Sequence, residues 1–158
     1  MKIIDKKGIS GLIERMLYII LTGGVLIMIS LPFMLKYVLM SSLRVNFIDI
    51  ESFWYLFIII FLEISGVVAA FIILQALLLF KNINNDNPFS GKSYIYLKRT
   101  SVFCLIESIL YLIKIILFNS LFTMVIFMIF IILWLLILVL AELFKKAKDY
   151  KDENDLTI

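Results

Sequence analysis

Four long apolar segments alternate with short polar ones along the chain. The segments cover residues 16–37, 53–80, 101–118 and 121–141. The hydrocarbon core of a bilayer is about 30 Å thick, and a helix of about 20 apolar residues crosses it. The pattern therefore predicts an all-α integral membrane protein, a four-helix transmembrane bundle that forms a single domain over residues 1–158.

The third segment is the least apolar of the four because it carries Glu107 and Lys114. Each charge at the centre of a membrane helix costs roughly 2.5 to 3.5 kcal/mol, which offsets much of the gain from its apolar residues. Only Asn119 and Ser120 separate this segment from the strongly apolar fourth one. We therefore expect the two to form a tight hairpin and to insert together.

The basic residues indicate how the segments are oriented. Of the 15 Lys and Arg, four precede the first segment, four lie between the second and third, and four follow the fourth. Lys and Arg concentrate on the cytoplasmic side of membrane proteins. Both termini, a loop over residues 81–100 and a tail over residues 142–158 are therefore predicted to lie in the cytoplasm, with the protein in the cell membrane.

Composition narrows the chemistry that the chain can perform. Of its 158 residues, 63% are hydrophobic and 17% are charged; it has no histidine and a single cysteine, Cys104. These counts exclude histidine-based catalysis, histidine-ligated metals, CxxC redox chemistry and an intramolecular disulfide. No glycine-rich phosphate-binding loop occurs either. We expect a non-enzymatic protein without a metal or cofactor.

Three ionisable residues lie within the predicted spans: Glu63, Glu107 and Lys114. Such residues are costly in a membrane and are candidates for function. Both glutamates lie about 15 Å from the outer ends of their helices, near the middle of the membrane. Cys104, Glu107, Tyr111 and Lys114 recur at three- and four-residue steps, so they share one helix face, on which Tyr111 could bridge Glu107 and Lys114.

The second span offers a face of its own, formed by Glu63, Gly66 and Ala70. Small residues four apart allow helices to approach closely. We expect this face to meet the third helix and to place Glu63 near Glu107 or Tyr111. Two carboxylates at low dielectric would not both remain ionised.

Four interpretations of this intramembrane polar cluster remain open. The cluster could be a satisfied polar network that fixes helix register. It could instead be a proton or cation pathway, or a site for a ligand or lipid headgroup. A catalytic carboxylate pair is the fourth, although no nucleophile or oxyanion arrangement accompanies it.

The cytoplasmic loop contains the motif Asn87-Pro88-Phe89-Ser90. Ser90 is a candidate N-cap for a helix that begins at Gly91 and continues into the third span. Phe89 and Tyr94 would form a hydrophobic staple at that helix start. The motif is either a capped connector drawn to anionic lipid or a docking surface for a cytoplasmic partner.

The C-terminal tail has an amphipathic pattern. Leu140, Leu143, Phe144, Ala147 and Tyr150 follow helical spacing, which predicts that the fourth helix extends about two turns beyond the membrane. The polar residues that follow are expected to be disordered. The chain ends in Asp155-Leu156-Thr157-Ile158, an apolar motif that could dock on the cytoplasmic loop or on a partner.

These motifs resemble those of a bacterial four-helix membrane family catalogued as domain of unknown function 2975. The resemblance rests on Asn87-Pro88-Phe89-Ser90, Leu97-Lys98-Arg99, residues 140–145 and the chain end from Glu153 to Ile158. It covers essentially the whole chain and implies a protein of the bacterial cytoplasmic membrane with four spans and no established activity. Members are often encoded beside a small helix-turn-helix regulator, which implies a transcription regulator as the cytoplasmic partner.

Two function classes follow. In the first, the protein is a non-enzymatic membrane partner or sensor for a cytoplasmic helix-turn-helix regulator. The alternative is a small proton-coupled transporter, exporter or self-immunity protein, a homo-oligomer that uses Glu63 and Glu107. Direct nucleic acid binding is not expected, because the basic residues are divided among three segments next to the lipid bilayer.

Overall fold

A computed structural model describes residues 8–43, 53–85, 88, 90–118 and 120–155 of the chain. It contains four helices: α1 (Ile9–Leu43), α2 (Phe53–Ile83), α3 (Gly91–Leu117) and α4 (Leu121–Asp155). All four are long and apolar enough to cross a membrane. The predicted all-helical, four-helix membrane protein is confirmed, and its orientation in the membrane stays a prediction.

Two helices extend well beyond the apolar segments. α1 begins at Ile9, before the predicted span, and α4 continues to Asp155 without a break. The prediction of two extra turns and then a disordered tail was therefore wrong. Strong helix formers are concentrated in residues 141–148, and Lys148 pairs with Asp152 one turn later at 3.0 Å, an i,i+4 arrangement that supports the helix beyond them.

The helices pack mainly in the order in which they occur. α1 contacts α2, α2 contacts α3, and α3 contacts α4 most extensively. α3 therefore lies in the middle of the described bundle, with a partner on each side. Two of the three intramembrane charges, Glu107 and Lys114, belong to this helix, which is the most buried of the four, and this burial accounts for its tolerance of Glu107.

The buried residues of α3 are mostly small and polar. They are Ser93, Leu97, Thr100, Ser101, Cys104, Glu107 and Ser108. Three of the hydroxyls bond to carbonyls of their own helix: Thr100 to Tyr96, Ser101 to Lys98 and Ser108 to Leu105, each at 2.8 Å. Since these groups need no donor or acceptor from a neighbour, they allow α2 and α4 to pack closely against α3.

Candidate functional site

Glu107 lies at the centre of the membrane region, enclosed between helices. Its side chain has no solvent-exposed area, and Cys104 one turn earlier is buried beside it on the same face. The Ser65 hydroxyl donates to the carboxylate, at 3.1 Å from Oε2 and 3.3 Å from Oε1. A buried polar contact therefore joins α2 to α3 within their apolar segments.

The face of α3 that carries Cys104, Glu107, Tyr111 and Lys114 is a polar stripe. Lys114 and Tyr111 form a separate group toward its C-terminal end. The Lys114 ammonium lies 4.9 Å from the ring centroid of Phe61 and 6.0 Å from that of Tyr111. The Tyr111 ring meets Phe61 edge to face and stacks on Phe130 of α4. Tyr111 thus contributes an aromatic surface to the cation, where the sequence had indicated a bridge between Glu107 and Lys114.

Glu63 lies away from this stripe, so the prediction that it meets Glu107 or Tyr111 was wrong. Its side chain lines a groove between α1 and α2. Gly66, on the same face, lies against Met28 of α1. Because successive residues of a helix are about 100° apart, Ser65 faces α3 while Glu63 and Gly66 face α1.

The predicted polar cluster is therefore divided into separate parts. Glu107 joins Ser65, Lys114 joins Tyr111 and Phe61, and Glu63 faces the other neighbour of α2. The carboxylate pair expected from equal depth does not form. Within the described ranges, no three Cys, Asp or Glu residues are close enough to hold a metal ion.

In the sequence, Ser65 stands out only as a small residue four positions before Ala69, a spacing that favours close helix approach, and not as a hydrogen-bond donor to Glu107. It is one of few polar residues in the apolar run of α2 and is buried. A serine in such a run can bond its own helix as readily as a neighbouring one. Its place opposite Glu107 could therefore not be deduced from its spacing alone.

Ser90 occupies the predicted N-cap position but does not cap with its side chain. Its backbone is extended, and its hydroxyl makes no capping hydrogen bond. The Asn82 amide, at the end of α2, donates to the hydroxyls of Ser90 at 2.6 Å and Ser93 at 2.8 Å. The Asn82 amide therefore joins the end of α2 to the start of α3. Asn87 of the predicted motif and Phe89 of the predicted staple lie outside the described residues.

A second asparagine connects the same region to the start of the chain. The buried Asn84 donates from Nδ2 to Oε2 of Glu14 in α1, at 2.6 Å. Its own Oδ1 is buried without a hydrogen-bond partner in the described structure. Asn84 therefore holds the end of α2 against the first turns of α1.

The tail of α4 lies against the start of α3. The Tyr94 ring is flanked by the ammonium groups of Lys98 and Lys145, at 5.7 Å and 5.9 Å from its centroid. The stem of Lys148 passes over Gly91, where an added side-chain carbon would lie 3.6 Å from its Cε. The first residues of α3 and the α4 tail thus form one packed end of the bundle.

Part of the predicted apolar face of the tail remains uncovered. Phe144 and Ala147 are half-buried, whereas Leu143 and Tyr150 are 56% and 67% exposed. The tail therefore has a packed side and an open side. Of the predicted C-terminal motif, Asp155 ends α4, and Leu156 and Thr157 lie outside the described residues.

Comparison with known proteins gives one match. No curated protein and no solved structure matches the chain. A family model described as "Protein of unknown function (DUF2975)" matches residues 13–158, which include all of α2, α3 and α4 and most of α1. The match agrees with the resemblance carried by the loop and tail motifs, and the chain belongs to the DUF2975 family.

Proposed function

We propose that this protein is a non-enzymatic membrane partner of a cytoplasmic protein, which docks on the tail of α4. The observation that carries the proposal is that α4 remains helical for 14 residues beyond Ala141, where the apolar segment ends. A segment that only had to leave the membrane would not need this length or the contacts with α3. A rigid helix is a better scaffold for a binding surface than a mobile tail.

The open side of the tail has the composition of a docking surface. Leu143, Lys146 and Tyr150 follow one another at helical spacing and are exposed. Amphipathic helices bind partners through apolar anchors at such spacing, and tyrosine is enriched among the residues that dominate binding energy. A partner with an apolar groove bordered by acidic residues would fit this surface.

The distribution of basic residues supports a cytoplasmic position for this end of the bundle. Lys92, Lys98 and Arg99 lie near the start of α3, and the α4 tail adds four lysines: Lys145, Lys146, Lys148 and Lys151. We propose that both termini face the cytoplasm of the cell membrane, as the positive-inside rule requires. A helix-turn-helix regulator, which the family resemblance implies, is the partner that we propose.

The transport alternative has less support. It relied on Glu63 and Glu107 as one coupling site. Glu63 lies on the face of α2 that meets α1, whereas Glu107 belongs to α3 and contacts another face of α2 through Ser65. Glu107 is enclosed with Ser65 as its hydrogen-bond donor, an arrangement that suits a fixed helix–helix contact. A proton-flux assay in vesicles separates the two functions, because a sensor or partner protein should carry no flux.

The experiment is co-purification of the full chain, in detergent, with the helix-turn-helix regulator encoded beside its gene. We expect the wild-type protein to retain the regulator, and Leu143→Glu and Tyr150→Ala to lose about tenfold or more in affinity. Lys151→Ala changes an exposed residue of the same segment that does not share the face of Leu143, Lys146 and Tyr150, and it should bind as wild type does. Equal retention by all four proteins, or none by the wild type, would overturn the proposal.

A further inference from the structure

The groove that contains Glu63 lies between α1 and α2 and has a volume of about 490 Å³. Several residues of its walls are exposed, among them Val25, Ile29, Val67 and Phe71. In a bilayer these side chains would meet lipid, so the groove opens sideways into the membrane. Its volume falls in the range of small-molecule binding sites, roughly 300–1,000 Å³.

We infer that this groove binds a lipophilic organic cation and that Glu63 supplies the counter-charge. In the described structure, Glu63 forms no ion pair or hydrogen bond. A carboxylate within the membrane region is costly unless a partner compensates it.

The rest of the groove is suited to a positive charge and unsuited to a negative one. None of the side chains that line it, Glu63 apart, carries a polar group. Pro32 has no N–H, so the carbonyl of Met28 one turn earlier loses its helical donor. Both residues line the groove, in which the Glu63 carboxylate is the charged group and no side chain offers a donor to an anion.

The apolar walls determine which kind of cation fits. A small inorganic ion would need several oxygen ligands to replace its water, and the walls offer mainly Leu, Val, Ile and Met side chains. A cation with apolar substituents enters the bilayer by itself and buries those substituents against the walls. Phe71 adds an aromatic ring to the lining, and such rings attract organic cations.

This inference is independent of the proposed docking function. The groove is formed by α1 and α2, whereas the docking surface belongs to the tail of α4. Either could fail without affecting the other. Loss of cation binding would leave regulator binding unchanged, so the two experiments have separate outcomes.

The experiment measures binding of tetraphenylphosphonium to the full chain in lipid nanodiscs, with tetraphenylborate as an anion of the same shape. We expect saturable binding of the phosphonium and only unsaturable partition of the borate. Glu63→Gln removes the charge with little change of volume and should weaken binding about tenfold or more. Glu63→Asp keeps the charge and should retain binding within a few-fold of wild type.

Two further variants separate the groove from a general effect of intramembrane charge. Glu107→Gln removes a carboxylate at similar depth that belongs to α3 and lies against Ser65 of α2, outside the groove, and it should bind the phosphonium as wild type does. Val67→Trp leaves Glu63 in place but fills the groove, and it should reduce binding to the level of Glu63→Gln. If Glu63→Gln cannot be recovered in nanodiscs, the comparison of Val67→Trp with Glu63→Asp decides the question.

Several results would overturn the inference. One is the absence of saturable phosphonium binding, which would mean that lipid chains alone fill the groove. Another is equal binding by wild type, Glu63→Gln and Val67→Trp, which would place the cation elsewhere. A third is a stable dimer that excludes the phosphonium and dissociates in Val67→Trp, because a second copy would then cover this face.

Discussion

Ser65 of α2 donates its hydroxyl to the carboxylate of Glu107 in α3, at 3.1 Å from Oε2 and 3.3 Å from Oε1. Both residues are buried, and their helices run antiparallel. A shift of one residue between the helices would leave the carboxylate in an apolar environment without its donor, a loss of a few kcal/mol. The contact therefore selects one register of α2 against α3.

Replacing Ser65 with alanine should destabilise the bundle by roughly 0.6 to 1.7 kcal/mol, the range measured for interhelical hydrogen bonds in membranes. Glu107→Gln should remain folded and inserted, because an amide still accepts from the Ser65 hydroxyl and no longer has a charge to bury. Thermal unfolding in detergent measures both effects, together with the amount of protein in the membrane fraction.

Ser108→Ala is the matched control for Ser65→Ala. Ser108 is also buried, but its hydroxyl bonds Leu105 of its own helix at 2.8 Å. Its removal should therefore change stability by a few tenths of a kcal/mol. Equal losses for the two serine variants would show that the interhelical bond contributes nothing specific, and loss of Glu107→Gln from the membrane would show that the carboxylate itself is required.

The four helices and the buried stripe of α3 were predictable because each follows from periodicity within one segment. Apolar length defines a membrane helix, and three- and four-residue steps place Cys104, Glu107, Tyr111 and Lys114 on one face. The structure buries Cys104 and Glu107 fully and the other two in part. Local spacing is sufficient for these conclusions because it involves no second helix.

The partner of each face was not predictable in the same way. Glu63, Gly66 and Ala70 do share a face, but nothing in the spacing distinguishes α1 from α3 as the helix that they meet. The equal depth of Glu63 and Glu107 predicted that they pair. In the structure, Glu63 lies on the α1 side of α2 and Glu107 lies on its α3 side. The bonds of Asn82 and Asn84 raised the same difficulty, since their acceptors lie in other helices.

Gly66 should tolerate substitution less well than Gly24. A Cβ at Gly66 would lie 3.1 Å from Cγ and Sδ of Met28, whereas one at Gly24 would meet no atom within 4 Å. Replacing a helical glycine with alanine adds up to about 1 kcal/mol of helix propensity. Gly24→Ala should therefore stabilise the protein, and Gly66→Ala should gain less because Met28 has to move.

Leucine at these two positions makes the contrast larger. Gly66→Leu should separate α1 from α2 and cost roughly 1 to 3 kcal/mol, as overpacking does, and Gly24→Leu should be nearly neutral. The melting temperatures of the four variants in detergent provide the measurement. If Gly66→Leu melts no lower than Gly24→Leu, then α1 does not pack on this face of α2.

Asn84 should control the stability of the first turns of α1 through its bond to Glu14. Asn84→Ala removes a donor to a carboxylate and should weaken this attachment by about 1 kcal/mol. Asn84→Asp should weaken the attachment further, because it places a second carboxylate beside Glu14. The rate of tryptic cleavage after Arg15, which is exposed, should rise in that order.

Asn85→Ala is the control for this series, because Asn85 is the exposed neighbour of the buried Asn84. It should leave the cleavage rate unchanged. Cleavage that is equally fast in the Ala and Asp variants of Asn84 would mean that charge at this position has no effect. Cleavage at the wild-type rate in both would mean that Asn84 does not hold α1.

Tyr94 should attach the α4 tail to α3 through its aromatic ring, since the Lys145 ammonium of α4 lies 5.9 Å from the ring centroid. Tyr94→Phe keeps the ring and should preserve the attachment, whereas Tyr94→Ala should lose about 0.5 to 1 kcal/mol from this cation–π contact between the helices. Hydrogen exchange of the backbone amides over residues 142–155 measures the opening of the tail and should be faster only in the alanine variant. Faster exchange in the phenylalanine variant would assign the attachment to the Tyr94 hydroxyl. Unchanged exchange in both variants would mean that the contact of the Lys148 stem with Gly91 holds the tail.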